Sequence, residues 1–296
     1  MAMKRKTFLK NLALSIPVMG ALGSTRQLFA NKQASVNTTE KVGFEHLPKK
    51  EIREMKTVLH KADSRGHANH GWLNTHHSFS FANYYNPDRM HFGVLRVLND
   101  DYIAPGRGFP KHPHNNMEII TIPFEGDLEH KDSMGNSSVI KEGDIQVMSA
   151  GTGIKHSEFN HNSDKAVKLF QIWLFPREQG VTPRYDQLSI SKLEKKNDLY
   201  QVLSPNANDD GVWIHQNAWF HLGKFDKHVK QTYQLNQPET NGVYIIAIEG
   251  SVAINGQTLA KRDAVGVWDA DQIEFEALEE KTHFLIMEVP MELPKG

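Results

Sequence analysis

From about Val42 onward the chain alternates short apolar runs with turn-forming residues. No long stretch carries the 3.6-residue period of an amphipathic helix. Phe92 to Leu98 ends in Asn99, Asp100 and Asp101, a turn-rich break, and Met117 to Ile122 leads to Glu125, Gly126 and Asp127. Ser137 to Ile140 stops at Lys141 to Asp144, Ile145 to Met148 at Gly151 to Gly153, and Val167 to Phe175 at Pro176. Runs of four to nine residues bounded by Gly, Asp and Asn predict an antiparallel sandwich or barrel. Trp173 and Phe175 alternate with Ile172 and Leu174 in a continuous apolar strand, which predicts core on both faces. A second β-rich set follows Gly211, with strands expected at Gly211 to His215, Ala218 to Leu222, Val243 to Ile248, Ser251 to Ile254, Ala264 to Trp268 and His283 to Met287. Ser189 to Tyr200 is polar and charged and reads as the connection between the halves.

The halves resemble each other. Ile122 to Leu128 (IPFEGDL) parallels Ile246 to Val252 (IAIEGSV), and each is followed by a short strand, a turn aspartate (Asp144 or Asp263) and another apolar strand. Gly126 and Gly250 are 124 residues apart and the aspartates 119, so the second hairpin is five residues shorter. A duplicated β-barrel follows from this spacing.

Composition narrows the classes. A chain of 296 residues, 39% hydrophobic and 23% charged, is expected to be soluble and to form two domains. Its 34 basic and 35 acidic residues leave no electrostatic footprint for nucleic acid or an anionic membrane. Cysteine is absent, so any metal must be held by nitrogen and oxygen. Histidine is abundant, with 16 copies concentrated between His60 and His161.

The first thirty residues differ from the rest. Lys4, Arg5 and Lys6 precede an apolar run from Leu12 to Leu22 that is too short to span a bilayer. A basic segment followed by such a run reads as an export signal over residues 1–30, leaving no membrane span in the mature protein. The order from Arg5 to Lys10 (RKTFLK) resembles the twin-arginine signal, with Lys6 in place of the second arginine. Cleavage is expected after Gly23 or after Ala30, followed by a polar linker over 31–41. The expected location is the periplasm; the alternative is a cytoplasmic protein with a basic, disordered N-terminus.

The candidate chemistry lies in two pairs, His112 with His114 and His156 with Glu158. Residues two apart on a strand share a face, so each pair can aim two ligands into one space. Three imidazoles and a carboxylate suit a divalent metal with open coordination positions. Glu118, four residues past His114 and of the same parity, is a rival carboxylate. His67, His70, His76, His77, His91, His130 and His161 have no ligand spacing and read as solvated or core side chains, and His215 and His221 read as structural. Gly242 to Ala270 contains no histidine, so the second barrel is expected to lack a metal.

Gly106, His112, His114, Glu118 and Gly126 resemble the first sequence motif of the cupin barrel. Gly143, Gly151, Gly153, His156 and Asn160 resemble the second, with Ser149 in place of its usual proline. The segments Arg65 to Leu73, His77 to Ala82, Tyr84 to Pro87, His112 to His114, Met148 to Ile154 and His156 to Glu158 together resemble the pirin family, in family order over roughly residues 60–180. The resemblance implies an all-β bicupin, two antiparallel jelly-roll-like barrels in tandem: a metal-binding domain over 42–183 and a cupin-like domain over 184–296. It implies one divalent ion, usually iron(II), with other divalent transition metals as alternatives. The implied ligands are His112, His114, His156 and Glu158.

The same resemblance implies a quercetin 2,3-dioxygenase-like oxidoreductase acting on a flavonol or related aromatic enol with dioxygen. Glu158 or Glu118 would take the substrate's hydroxyl proton, and both stand as candidate catalytic residues. The alternatives are a non-catalytic metal-containing binding or redox-sensing module, and an isomerase or epimerase on the same scaffold.

Overall fold

The computed structural model describes residues 53–294. The expected export signal (1–30) and linker (31–41) lie outside the described residues, as does the start of the first domain. Among the described residues the only helices are two single 3-10 turns, Ala62–Ser64 and Ile190–Lys192. None is long and apolar enough to cross a membrane.

The strands form four sheets, two for each barrel. In the first barrel a seven-stranded sheet runs in the order Gly66–Asn69, Leu73–His77, Leu95–Ile103, Val167–Leu174, Glu118–Glu125, Asp144–Ser149, Arg184–Ser189. Facing it is a four-stranded sheet, Gly108–His114, Ile154–Asn160, Leu128–Asp132, Ser137–Ile140. Leu73, Ile103, Leu128, Ile140, Val167 and Leu169 fill the space between them. The second barrel repeats the plan with another seven-stranded and another four-stranded sheet. The two bicupin barrels inferred from the sequence are present.

The two large sheets pack on each other. Ile120, Ile122, Val147, Phe170 and Ile172 from one meet Phe220, Tyr244, Ile246, Leu285 and Met287 from the other in one buried cluster. This explains the continuous apolar runs, because a strand such as Asn241–Glu249 is covered on both faces. Fully burying each of these side chains contributes roughly 1.5–3 kcal/mol, so the shared layer is a large part of what holds either barrel.

The sheets do not divide at 183/184. Lys56–His60 pairs antiparallel with Ala264–Trp268 in the second barrel's large sheet. Arg184–Ser189 pairs with Asp144–Ser149 in the first. Each large sheet thus has one edge strand from the other half, which satisfies backbone groups that an open edge would leave unpaired.

The repeat has a shared local cause. Asp144 accepts a hydrogen bond from the Lys141 backbone N–H at 3.0 Å, and Asp263 accepts the matching bond from Ala260 at 3.0 Å. Each closes the tight turn before the next strand. One local reading fails: Asn99, Asp100 and Asp101 do not form a turn but lie inside Leu95–Ile103. Tertiary partners hold them there. Asn99 Oδ1 meets His77 Nδ1 at 2.7 Å, and Asp100 pairs with Arg65 at 3.2 Å and Arg262 at 3.0 Å.

Gly93 marks a close approach of the halves. It has φ +51°, and a Cβ there would run into the carbonyl oxygen of Pro290 on the last strand. The neighbouring Val94 N–H donates to that same oxygen at 2.9 Å. Gly93→Ala is therefore expected to cost about 1–3 kcal/mol, read as a lowered urea midpoint. An unchanged midpoint would show that this contact does not constrain the packing of the halves.

Candidate metal centre

Three neighbouring strands of the first barrel's small sheet build the site. Gly108–His114 pairs with Ile154–Asn160 so that His112 stands opposite His156 and His114 opposite Ile154. The register shifts between His156 and Glu158. On the other edge of the same strand, Glu158 stands opposite His130 and His156 opposite Asp132. Along Ile154–Asn160 alternate residues are buried, so Ile154, His156, Glu158 and Asn160 point inward.

The imidazoles of His112, His114 and His156 form a triangle, with ring centroids 4.4 Å (112–156), 4.9 Å (112–114) and 4.9 Å (114–156) apart. One ligand atom from each of the three lies within 4.8 Å of the others, and the same holds for His130, His156 and Glu158. His156 belongs to both triads, and neither of its ring nitrogens has a hydrogen-bond partner although both are buried. His114 Nε2 is also buried without a partner. The Pro110 carbonyl lies 2.8 Å from His112 Nδ1, which places the proton on that nitrogen and leaves Nε2 as the ligand atom.

Burial, then the neighbouring imidazoles, pushes His114 and His156 down to about 3. Both rings are neutral at ordinary pH, with lone pairs free for a cation. Burial raises the Glu158 carboxyl, while His130 and the hydrogen bond from Gln171 pull the other way. Gln171 Nε2 donates to both Glu158 oxygens at 3.1 and 3.2 Å. Neutral imidazoles with unpartnered nitrogens beside one buried, oriented carboxylate fit a divalent transition-metal ion.

A cavity of about 330 Å³ opens onto this cluster, lined by Leu73, Phe81, Phe109, Ile119 and Trp173 together with the polar Thr75, His77, Asn99, Asp101 and Gln171. Trp173, read from sequence as core, lines this cavity with its ring edge-on to His114 at 4.9 Å and to Phe81 at 5.4 Å. Its neighbour Ile172 faces the shared apolar layer instead. Both faces of that strand are apolar, so alternation alone did not reveal which one met a cavity. His130 and Gln171 were also missed. His130 is fully buried within reach of His156 and Glu158, and only the pairing of distant strands brings it there. The sequence carried one usable signal, the two-residue spacing of His130 and Asp132 on a strand.

Glu118 is not part of the cluster. Asn116, with φ +44°, breaks the strand between His114 and Glu118, so the shared parity does not carry across. Glu118 begins a strand of the large sheet, where Ile119 faces the cavity and Glu118 the opposite side. There it accepts a hydrogen bond from Ser149 Oγ at 2.8 Å. Burial raises its carboxyl from the ordinary 4.5 to about 7, against the opposing pull of Ser149, the His215 backbone and Arg184.

A raised folded-state value means that the folded protein holds this proton more tightly than the unfolded chain. The associated stability is full below 4.5 and is lost as pH rises through about 7. In protein stripped of metal by a chelator, Glu118→Gln should therefore gain on the order of 2 kcal/mol over the wild type between about pH 5 and pH 8. Urea titrations at several pH values measure this, and parallel profiles for the two proteins would refute it.

Comparison with known proteins agrees with this architecture. The family model Pirin matches residues 56–174, and the model for the quercetinase C-terminal cupin domain matches 201–289. The quercetin 2,3-dioxygenase of Escherichia coli K12 is 43% identical over 232 residues, covering 78% of this chain and 98% of that protein. A pirin-like protein of Caulobacter vibrioides is 38% identical over 225 residues, covering 76% of this chain and 96% of the relative. The crystal structure of the bacterial pirin YhhW from Escherichia coli, in complex with nickel(II), matches with a TM-score of 0.74 at 42% identity, covering 79% of this chain and 99% of that one. With both barrels matched and its relatives covered almost end to end, this chain belongs to the pirin family.

Proposed function

We propose that the protein is a metal-dependent dioxygenase that opens the ring of a flavonol such as quercetin, or of a related aromatic enol, with dioxygen as co-substrate and iron(II) as its resident ion. The observation that carries this reading is the opening of the His112, His114 and His156 triangle, with Glu158 beside it, onto a largely apolar cavity. Its volume of about 330 Å³ lies at the lower end of the range for small-molecule sites, ~300–1,000 Å³. The names of the relatives point the same way.

His112, His114, His156 and Glu158 would hold the ion. Bound there, it would supply a Lewis acid for the substrate's deprotonated oxygen and a redox partner for dioxygen. The remaining work falls to the chain. Phe81, Phe109, Ile119 and Trp173 pack against the flat ring system and keep water out. Glu158 accepts the hydroxyl proton at a carboxylate oxygen, which turns the substrate into an electron-rich enolate. Gln171, bonded to both oxygens, fixes the carboxylate so that it need not reorganise when it takes the proton.

Purified iron-loaded protein should consume oxygen with quercetin and release carbon monoxide in step. Glu158→Gln should lower turnover ~100-fold or more, while Glu118→Gln leaves it within about a factor of two. Iron-loaded protein that takes up no oxygen with any flavonol would sink the proposal.

Export to the periplasm is part of the same reading, supported by the basic and apolar pattern of residues 1–30 and by the start of the first family match only at residue 56. Mass spectrometry of the periplasmic fraction should find a mature chain beginning at Ser24 or Asn31, and replacing Arg5 and Lys6 by glutamine should hold the protein in the cytoplasm. An uncleaved chain confined to the cytoplasm would show the reverse.

A further inference from the structure

The wall of the cavity carries two rows of polar side chains that differ in one respect. In the first, His77 Nδ1 meets Asn99 Oδ1 at 2.7 Å, and on the next strand Gln171 is bonded to Glu158. That row closes on itself. The second row is Thr75 and Asp101, register partners on Leu73–His77 and Leu95–Ile103. Thr75 sits beside the Asp101 carboxyl and pulls against the upward push of burial, but the two are poorly aligned, and Thr75 Oγ1 and Asp101 Oδ1 are both buried without a well-formed hydrogen bond. Asp101 is 5% exposed and Thr75 3%, and both line the cavity that holds the three histidines.

A buried carboxyl whose nearest donor is one poorly aligned hydroxyl is costly. Its strand neighbours show what ordinary packing would place there, because Leu73 and Ile103 on one side and Leu169 on the other are buried and apolar. Asp101 belongs to neither triad of ligand atoms, so metal binding does not account for it. A bound group that donates one hydrogen bond and accepts another would satisfy both open atoms at once. A phenolic hydroxyl does this, donating to the carboxylate and accepting from the threonine.

We propose that Asp101 and Thr75 form a substrate subsite for a phenolic hydroxyl other than the one beside the metal ion, and so select polyhydroxylated over plain aromatic enols. The inference rests on the flavonol reading given above. A site built to bond a hydroxyl discriminates strongly against an analogue that lacks it, because its own polar groups then stay unpaired.

The test is an anaerobic titration of metal-loaded protein, followed by tryptophan fluorescence, with quercetin and with 3-hydroxyflavone, which keeps only the hydroxyl–carbonyl pair. Asp101→Leu should weaken quercetin about 10-fold or more and leave 3-hydroxyflavone within about two-fold, with metal content unchanged. Thr75→Val should move the ratio in the same direction by about three-fold. Should Asp101→Leu fail to fold, Thr75→Val and Asp101→Asn carry the comparison. Equal losses for both ligands, no loss for either, or loss of the metal along with affinity would each overturn the subsite. Wild type that binds both flavonols with the expected ratio yet consumes no oxygen would remove the dioxygenase reading and leave the subsite standing. Wild type that binds neither would remove both.

Discussion

The register between Gly108–His114 and Ile154–Asn160 is the constraint on which the metal centre depends. Side chains alternate along a strand, so a slip of one residue would turn His156 and Glu158 outward together. Two features hold the register at the end away from the histidines. Gly108 lies so close to the Glu158 backbone that any Cβ there would strike its carbonyl oxygen. Asn160 clamps the strand's end, with its side-chain nitrogen donating to Ile103 O at 3.0 Å and Lys165 O at 2.9 Å and its backbone N–H to Arg107 O at 2.7 Å. The shift of register between His156 and Glu158 then falls between that pinned end and the histidines. It sets the carboxylate under Gln171 while His156 stays opposite His112.

Precision at the ligands requires a firm support, which the second barrel provides. Gln171 lines the cavity from the large sheet, and Thr121 Oγ1 on the neighbouring strand lies 3.5 Å from Gln171 Oε1. Their strand neighbours Phe170, Ile172, Ile120 and Ile122 face the other way into the layer shared with the second barrel. The residue that orients Glu158 is therefore fixed from behind by side chains that take no part in the chemistry. The second barrel treats its own buried carboxylate differently. Glu288 accepts hydrogen bonds from Tyr233 Oη at 2.7 Å, from the backbone of Asn236 and Gln237 at 2.9 Å each, and from Asn241 Nδ2 at 3.0 Å. A carboxylate so fully supplied with donors holds structure together; Glu158, served from one side by the Gln171 amide and the Thr121 hydroxyl, keeps capacity for a cation.

Much of this was legible from the chain because it depends on short-range rules. A period of two put His112 with His114 and His156 with Glu158, and the turn aspartates Asp144 and Asp263 showed the duplicated plan. The failures came where a tertiary partner outweighed a local signal. Glu118 shares the parity of His114, but a single left-handed residue, Asn116, separates them into different sheets. His130 reaches Glu158 through strand pairing that no spacing along the chain encodes.

Asn99 to Asp101 is the most instructive of these failures. Three polar residues in succession are a sound turn signal, and holding them in a strand needs a partner for each. Asn99 finds His77, and Asp100 finds Arg65 and Arg262 on the opposite face. Asp101 has only the poorly aligned Thr75 hydroxyl beside it and otherwise meets the cavity. A strand keeps such a residue at a cost in stability, and positions that break local rules without an internal compensation are where function is expected. The same strand therefore misled the reading of the fold and marks the place where the fold leaves a bond for a ligand to complete.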